Sequence, residues 1–419
     1  MAGAPQSKLA IHGGPKVREK PWPPRGLVGD DERRAIEALF DESAASGKPI
    51  GYDGPSEQAY CREFAEWLGG GFADAVNSGT AAVYVALKAL EPEPFSEVIV
   101  GAVTDPGGMM PIPLHNCIPL VADTEPGSLN TGPAQIAPLI SPRTSGIVVA
   151  HIAGVPCDMP GICELADRHG IPVIEDCAQA HGATIDGRLV GTFGTVAAFS
   201  TMFGKHHCTG GQGGVVFTRD EALYAAIRRA SDRGKPFGLP AGSTNAVASL
   251  NFNLNDLAAA IGRVQLRKLP GIVARRREIA RAIGRGIDGL ATVSLPALPD
   301  GMEPTYWFLR VRFHTEVASC DKATFCRALA AEGLPVTTDY DALPHTRDWF
   351  VHRRVFGRSG LPWTSPQYRG DADREFPTPH ARRAVAAHFN IGMHEGWDDR
   401  AVADAVAVLA KVDAAYCRA

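Results

Sequence analysis

The sequence predicts an α/β protein with a large, mainly parallel sheet carrying helices on both faces, followed by a smaller C-terminal α+β domain. Three observations lead there. Between Phe72 and Phe217, short apolar runs alternate with segments of helical periodicity, the pattern of buried strands joined by crossover helices. A chain of 419 residues exceeds one ordinary core, so two domains are expected. A helical pattern from about Asn255 to residue 287 is long enough to bridge them.

In chain order, residues 8–28 are polar and proline-rich, with Gly13-Gly14-Pro15 and Pro21-Trp22-Pro23-Pro24, and read as an extended arm. Asp30 or Asp31 caps a helix with Ile36, Leu39 and Phe40 on one face. A second helix, about 55–69, places Tyr60, Phe64, Trp67 and Leu68 at helical spacing. The strand 72–76 leads through Asn77-Ser78-Gly79-Thr80 into an alanine-rich helix ending near Leu90. Strands are expected at 97–100, 118–122 and 146–151, then a helix near 159–169 and a strand at 171–175. Asp186-Gly187 marks a hairpin, and strands at 196–199 and 215–217 flank a glycine-rich loop.

The helix from Asn255 contains Pro270, a place for it to break, and Arg275-Arg276-Arg277, read as a solvated face. Beyond it come a strand at 306–313, a helix at 322–332 and a final helix near 398–416. The loop-rich stretch 339–380 lies between, its Pro-, Arg- and Gly-rich part (353–380) read as a long surface connection in preference to a lid. The expected division is an arm at 1–28, a large domain at 29–268 and a small domain at 269–419.

Composition excludes several classes. A net charge of −4 offers no basic footprint for nucleic acid. The N-terminus has no apolar leader region and no run is long enough to span a membrane, so a cytoplasmic protein is expected. The nine cysteines are scattered without a C-x-x-C pair, against a disulfide framework or a zinc site. Cys163 and Cys177 read as small buried hydrophobes, and Cys208, close to Lys205, reads as packing in preference to a reactive thiol.

Four features carry chemistry. Lys205 is the only lysine between Lys88 and Lys235 and sits in the loop Gly204-Lys205-His206-His207-Cys208-Thr209-Gly210-Gly211-Gln212-Gly213-Gly214. A desolvated amine there would be nucleophilic toward an aldehyde; the bland alternative is a surface lysine. The turn Asn77-Ser78-Gly79-Thr80 offers unpaired N–H groups at a helix start, a seat for a phosphate or an ordinary cap. Asp176 ends an apolar strand where open α/β sheets bind ligands, and Gln179 follows it. Asp176 could keep a pyridine nitrogen protonated or simply cap a helix. Ser200, five residues before Lys205, could serve the phosphate or end its strand. Together these are the inventory for pyridoxal 5′-phosphate.

The chain resembles the DegT/StrS family of sugar aminotransferases, of the fold-type I pyridoxal-phosphate superfamily. The resemblance rests on Leu9-Ala10-Ile11-His12-Gly13-Gly14-Pro15, Ser78-Gly79-Thr80-Ala81-Ala82, Glu175-Asp176-Cys177-Ala178-Gln179-Ala180-His181-Gly182-Ala183, Phe199-Ser200 with Lys205 and Gly213-Gly214, and Asn251 with Leu257-Ala258-Ala259-Ala260-Ile261-Gly262. It covers nearly the whole chain and is weakest over 339–390. It implies that Lys205 is the Schiff-base lysine, Asp176 the pyridinium partner and Gln179 the partner of the ring hydroxyl. Gly79, Thr80 and Ser200 would hold the phosphate. It further implies a homodimer with Asn251 reaching the neighbour's phosphate. The implied activity moves an amino group from glutamate or glutamine to a keto-sugar nucleotide or keto-cyclitol, in amino-sugar or aminocyclitol biosynthesis, with the Gly-Gly-Pro arm favouring the cyclitol branch.

Two positions depart from the family pattern. Asp105 stands where an aromatic residue usually meets the cofactor ring, and Asn253 where an arginine is usual. Counting back from Gly211-Gln212-Gly213-Gly214 also puts the catalytic position at His206 in place of Lys205, as in a dehydratase branch of the family. The forward count from Ser200 is preferred, because a glycine-rich loop absorbs an extra residue easily. A third reading is a cofactor-binding regulatory homologue without turnover, motivated by Asp105 and Asn253.

Overall fold

The computed structural model describes residues 8–418. Its centre is a seven-stranded sheet in the order Phe72–Val76, Gly214–Thr218, Val196–Ser200, Val173–Asp176, Thr144–Ala150, Glu97–Gly101, Ile118–Ala122. The pairs from Val196–Ser200 onward are parallel, and Gly214–Thr218 runs antiparallel to both its neighbours. Every strand but Gly214–Thr218 therefore ends at the same edge. The segments following Val76, Gly101, Ala150, Asp176 and Ser200 gather there, and the register sets Ala150 opposite Asp176 and Asp176 opposite Ala198.

Helices cover both faces. Gly79–Ala89 buries Ala81, Ala82, Val83, Val85, Ala86 and Leu87, so its alanines let it lie close against the sheet. On the other face Pro55–Trp67 packs Tyr60 and Phe64 beside Phe199, Phe217 and the first half of Asp256–Ile287. That last helix runs unbroken through Pro270, whose side is exposed, so the carbonyl it leaves unpaired can bond water. The expected break is not there.

The C-terminal unit is a four-stranded antiparallel sheet in the order Val293–Ser294, Leu309–Phe313, His388–Ile391, Val336–Thr337, covered by Lys322–Ala331 and Asp399–Tyr416. Its core draws on Ile279, Ala280, Ile283 and Ile287 from the second half of the long helix. The arm belongs to this unit: Leu9 is buried in its core and Trp22 stacks on Trp397 with ring centroids 4.3 Å apart. The stretch after residue 350 lies along the open edge of the large sheet, with Trp363 and Tyr368 packed beside Ile118 and Leu120.

Two expectations are corrected, and one stretch without an assigned element is filled. Phe40 is 56% exposed while Glu32, on the same helix, is buried and takes the Lys268 amine at 2.7 Å. Between the loop-rich stretch and the final helix, where the sequence reading assigned no element, lie the helix Pro379–Ala387 and the strand His388–Ile391. Arg275-Arg276-Arg277 is no solvated face, since Arg276 is 2% exposed. A buried guanidinium needs a counter-charge and acceptors, and Arg276 has Glu395 and three main-chain carbonyls. Among the described residues no helix is long and apolar enough to cross a membrane.

Candidate active site

At the shared strand edge lies a cavity of about 400 Å³. Its lining includes Gly79, Thr80, Asp105, Asp176, Gln179, Ser200 and Lys205, drawn from four separate segments. Each is there for a local reason. Ser78 caps the helix Gly79–Ala89 by accepting from Ala81 N–H at 3.0 Å, which leaves the first N–H groups of the helix facing the cavity end. A Cβ at Gly79 would come within 2.5 Å of the Ser200 Cβ, so only glycine lets the helix start approach the strand end this closely. Backbone N–H groups and two hydroxyls, Thr80 and Ser200, thus converge on one spot, an anion seat.

Asp176 ends its strand with its carboxylate buried at 7% exposure. One oxygen accepts from Ala178 N–H at 3.0 Å, leaving the other for a ligand. Burial pushes this carboxyl up, opposed by the Ala178 N–H and by the positive charge of Lys205. Gln179 is held by Ala153 N–H, which donates to its Oε1 at 2.7 Å, and by Tyr340, whose oxygen accepts from its Nε2 at 2.7 Å. The second Nε2 hydrogen remains available to a ring hydroxyl.

Lys205 is 7% exposed, in a loop fixed by Thr201 N–H on Gly213 O, Phe203 N–H on Gly211 O and Lys205 N–H on Met202 O. Its amine lies 3.8 Å from the ring centroid of Trp307. Burial pulls its pKa down to about 8, against the upward pull of Asp176 and Asp105. A useful fraction is therefore the free amine near neutrality. His206 does not line the cavity: its Nε2–H donates to the Thr305 carbonyl at 2.9 Å, and burial holds its pKa well below the usual value. The backward count thus points to a packed histidine.

Asp105 lines the cavity mouth, exposed, and starts the short helix Pro106–Met109 by accepting from Gly107 N–H at 2.9 Å. A side chain at Gly107 would strike the Thr80 hydroxyl, and one at Gly108 would sit 3.0 Å from Asp176 Oδ2. This loop presses backbone, with no aromatic ring, onto the site; Phe203 and the imidazole of His151 are the rings among the lining residues. His151 is locked: its Nδ1 accepts from Cys157 N–H, so Nε2 carries the proton toward Glu175. Asn251 lies outside this chain's own cavity, exposed, with its Oδ1 accepting from Asn253 N–H and Nδ2. Sequence reasoning missed Trp307 and Tyr340, which come from the C-terminal half; an aromatic in the expected strand 306–313 and another in the loop-rich stretch 339–380 were the sole signals.

These residues fit pyridoxal 5′-phosphate. A buried amine of lowered pKa and a carboxylate with one uncommitted oxygen line the same cavity, whose lining also holds a seat of unpaired N–H groups. A Cβ added at Gly79 or Gly108 would intrude on Ser200 or Asp176.

Comparison with known proteins agrees. The model of the DegT/DnrJ/EryC1/StrS aminotransferase family matches residues 30–409. The L-glutamine:2-deoxy-scyllo-inosose aminotransferase of Streptomyces kanamyceticus is 32% identical over 349 residues, 80% of this chain and 81% of that protein. Its namesake from Streptomyces fradiae is 30% identical over 429 residues, 97% of each chain. An aminotransferase from Psychrobacter cryohalolentis superposes with a TM-score of 0.82 at 26% identity, over 94% of this chain and 99% of that one. DesV of S. venezuelae, solved in complex with a ketimine intermediate, gives 0.77 at 26% identity, over 94% and 98%. The chain belongs to the DegT/DnrJ/EryC1/StrS aminotransferase family, and pyridoxal 5′-phosphate is its cofactor.

Proposed function

We propose that this aminotransferase moves an amino group from L-glutamine or L-glutamate to the ketone of a cyclitol or sugar, with a keto-cyclitol as the preferred acceptor. The observation that carries the chemistry is the buried amine of Lys205, brought to about 8, in the same cavity as the Asp176 carboxylate. The acceptor class is supported by relatives whose names give 2-deoxy-scyllo-inosose and scyllo-inosose as substrates with L-glutamine as donor.

In this reading Lys205 would hold the cofactor covalently and, as a free amine, would carry the proton to and from the donor's α-carbon. When bound, the cofactor supplies an aldehyde for amine capture and a ring that takes up the electron pair released at that carbon. Asp176 would keep the ring nitrogen protonated, Gln179 would donate to the ring hydroxyl, and Gly79, Thr80 and Ser200 would bind the phosphate. Asp105, at the mouth of the same cavity, would contact the bound cofactor. The donor leaves as its keto acid and the ketone leaves as an amine. Two copies are proposed to pair over the cavity mouth, where Phe203 is 66% exposed, with Asn251 supplied across the interface; Leu250, beside it, is 60% exposed. Light scattering after size exclusion reads the dimer directly.

The test is a half-reaction screen. The holoprotein is mixed with glutamine, glutamate, alanine and aspartate, and loss of the aldehyde form is followed by absorbance; a panel of keto-cyclitols and nucleotide-linked keto-sugars follows, with amine products read by mass spectrometry. Conversion by glutamine or glutamate and amination of a keto-cyclitol is the expected result. No conversion by any donor would instead support a homologue without turnover. Gly79→Ala tests the phosphate seat: its Cβ must displace Ser200, so cofactor affinity is expected to fall about 10- to 100-fold, about 1.4–2.8 kcal/mol. An unchanged dissociation constant, read by equilibrium dialysis, would place the phosphate elsewhere.

A further inference from the structure

We propose that Arg25, Glu395 and Arg276 form a positioning set for Lys205, holding its main chain from one side and the ring beneath its amine from the other. The proposal rests on the reading of Lys205 as the cofactor lysine. None of the three lines the cavity, so they are positioning residues and not catalytic ones.

Arg25 comes from the arm and uses its whole guanidinium fork. Its Nη1 donates to the Gly204 carbonyl at 3.0 Å, its Nη2 to the Lys205 carbonyl at 2.7 Å, and its Nε to Glu395 Oε1 at 2.8 Å. The other oxygen of Glu395 takes Arg276 Nε at 2.7 Å. Arg276 in turn donates through Nη1 to the carbonyls of Tyr306 and Trp307 at 2.8 and 3.2 Å. Trp307 closes the circuit twice, by its Nε1–H on the Gly204 carbonyl at 3.2 Å and by its ring under the Lys205 amine.

One glutamate therefore couples two arginines, one fixing the lysine's backbone and the other fixing the backbone of the ring on which the lysine rests. Guanidinium–carbonyl and guanidinium–carboxylate bonds are charge-assisted and directional, and a lysine cannot reproduce the fork. The parts come from the arm, the lysine loop, the bridging helix and the C-terminal unit, so the tertiary fold meets at this lysine. The arm is anchored independently through Leu9, Ala10, Val17 and Trp22. Fastening it does not require Arg25, which leaves the lysine loop as what Arg25 serves. A displacement of the amine by about 1 Å is enough to slow a positioned proton transfer about 100-fold.

The test compares wild type with Arg25→Lys and Trp307→Phe, the second keeping a ring under the amine while losing the Nε1 bond and part of the indole face. Two readouts separate positioning from simple support. Trace acylation of the cofactor-free protein across pH, with peptide mass spectrometry, gives the titration midpoint of Lys205. Single-turnover rates with saturating glutamine, per bound cofactor, give the chemical step. For Arg25→Lys, the Lys205 midpoint is expected to rise from about 8 toward that of a free lysine, as a loosened side chain reaches water. The half-reaction is expected to slow about 10- to 100-fold with the glutamine requirement little changed. Trp307→Phe is expected to slow it about 2- to 5-fold. Should Arg25→Lys fail to fold, Trp307→Phe decides alone. A variant that loses thermal stability while keeping both midpoint and rate overturns the proposal. Borohydride reduction of the wild-type holoprotein that leaves the cofactor mass on another residue overturns the underlying reading of Lys205 instead.

Discussion

Replacing Lys205 by methionine is expected to remove turnover, by about 10⁴-fold or more, and at the same time to stabilise the cofactor-free protein at neutral pH. The first effect follows from losing both the amine that holds the cofactor and the base that moves the proton. The second follows from burial. Lysine in the unfolded chain titrates near 10.5, whereas in the fold burial draws Lys205 to about 8 despite Asp176 and Asp105. Between those values the unfolded chain binds the proton more tightly than the folded one. Below pH 8 the buried lysine therefore costs the fold about 3 kcal/mol, and the cost fades as pH rises through the window from 8 to 10.5. Wild-type stability should rise across that window, and the Lys205→Met protein should melt a few degrees higher at pH 7 with its advantage gone near pH 10.5. Thermal melts at pH 7, 9 and 10.5 on cofactor-free protein read this without any substrate. A variant that keeps more than a few per cent of activity, or that melts lower at pH 7, contradicts it.

The large domain was legible because its signals are local. A strand such as Val173–Asp176 is announced by the apolar run Ile171-Pro172-Val173-Ile174, and parallel-sheet geometry puts the acidic residue at its tip on the ligand-binding edge. Ser200 and Lys205 were legible for the same reason, as a strand end and the loop it opens. What was not legible depends on partners far away in sequence. Arg276 looks like the middle of a charged run until Glu395, 119 residues later, is seen to neutralise it. Tyr340 reaches Gln179 across 161 residues, and no periodicity announces that. The strand His388–Ile391 escaped because it is buried on both faces and begins with a polar residue, so neither alternation nor an apolar run marks it. Asn251 is a different case: it does not line this chain's own cavity, so the role implied for it by the resemblance rests on the proposed second copy.

Asp176→Asn is expected to slow the half-reaction about 100- to 1000-fold while leaving the fold intact, and to move the Lys205 midpoint in the direction opposite to Arg25→Lys. The side chains are nearly isosteric, and the Ala178 N–H bond at 3.0 Å can be kept by the amide oxygen. What is lost is charge. A neutral amide cannot hold a proton on the ring nitrogen, so the electron pair released at the donor's α-carbon finds a poorer sink. The second consequence is electrostatic and needs no cofactor. Asp176 is the first of two carboxylates that raise the Lys205 pKa against burial, the other being Asp105. Without it, desolvation is less opposed, and the midpoint falls below about 8. Loosening the lysine lets it rise and removing its counter-charge makes it fall, so one labelling experiment on cofactor-free protein separates a lost support from a lost charge. An Asp176→Asn protein within about 3-fold of wild type in the half-reaction would show that this carboxylate does not serve the ring nitrogen, and an unmoved Lys205 midpoint that it does not serve the amine.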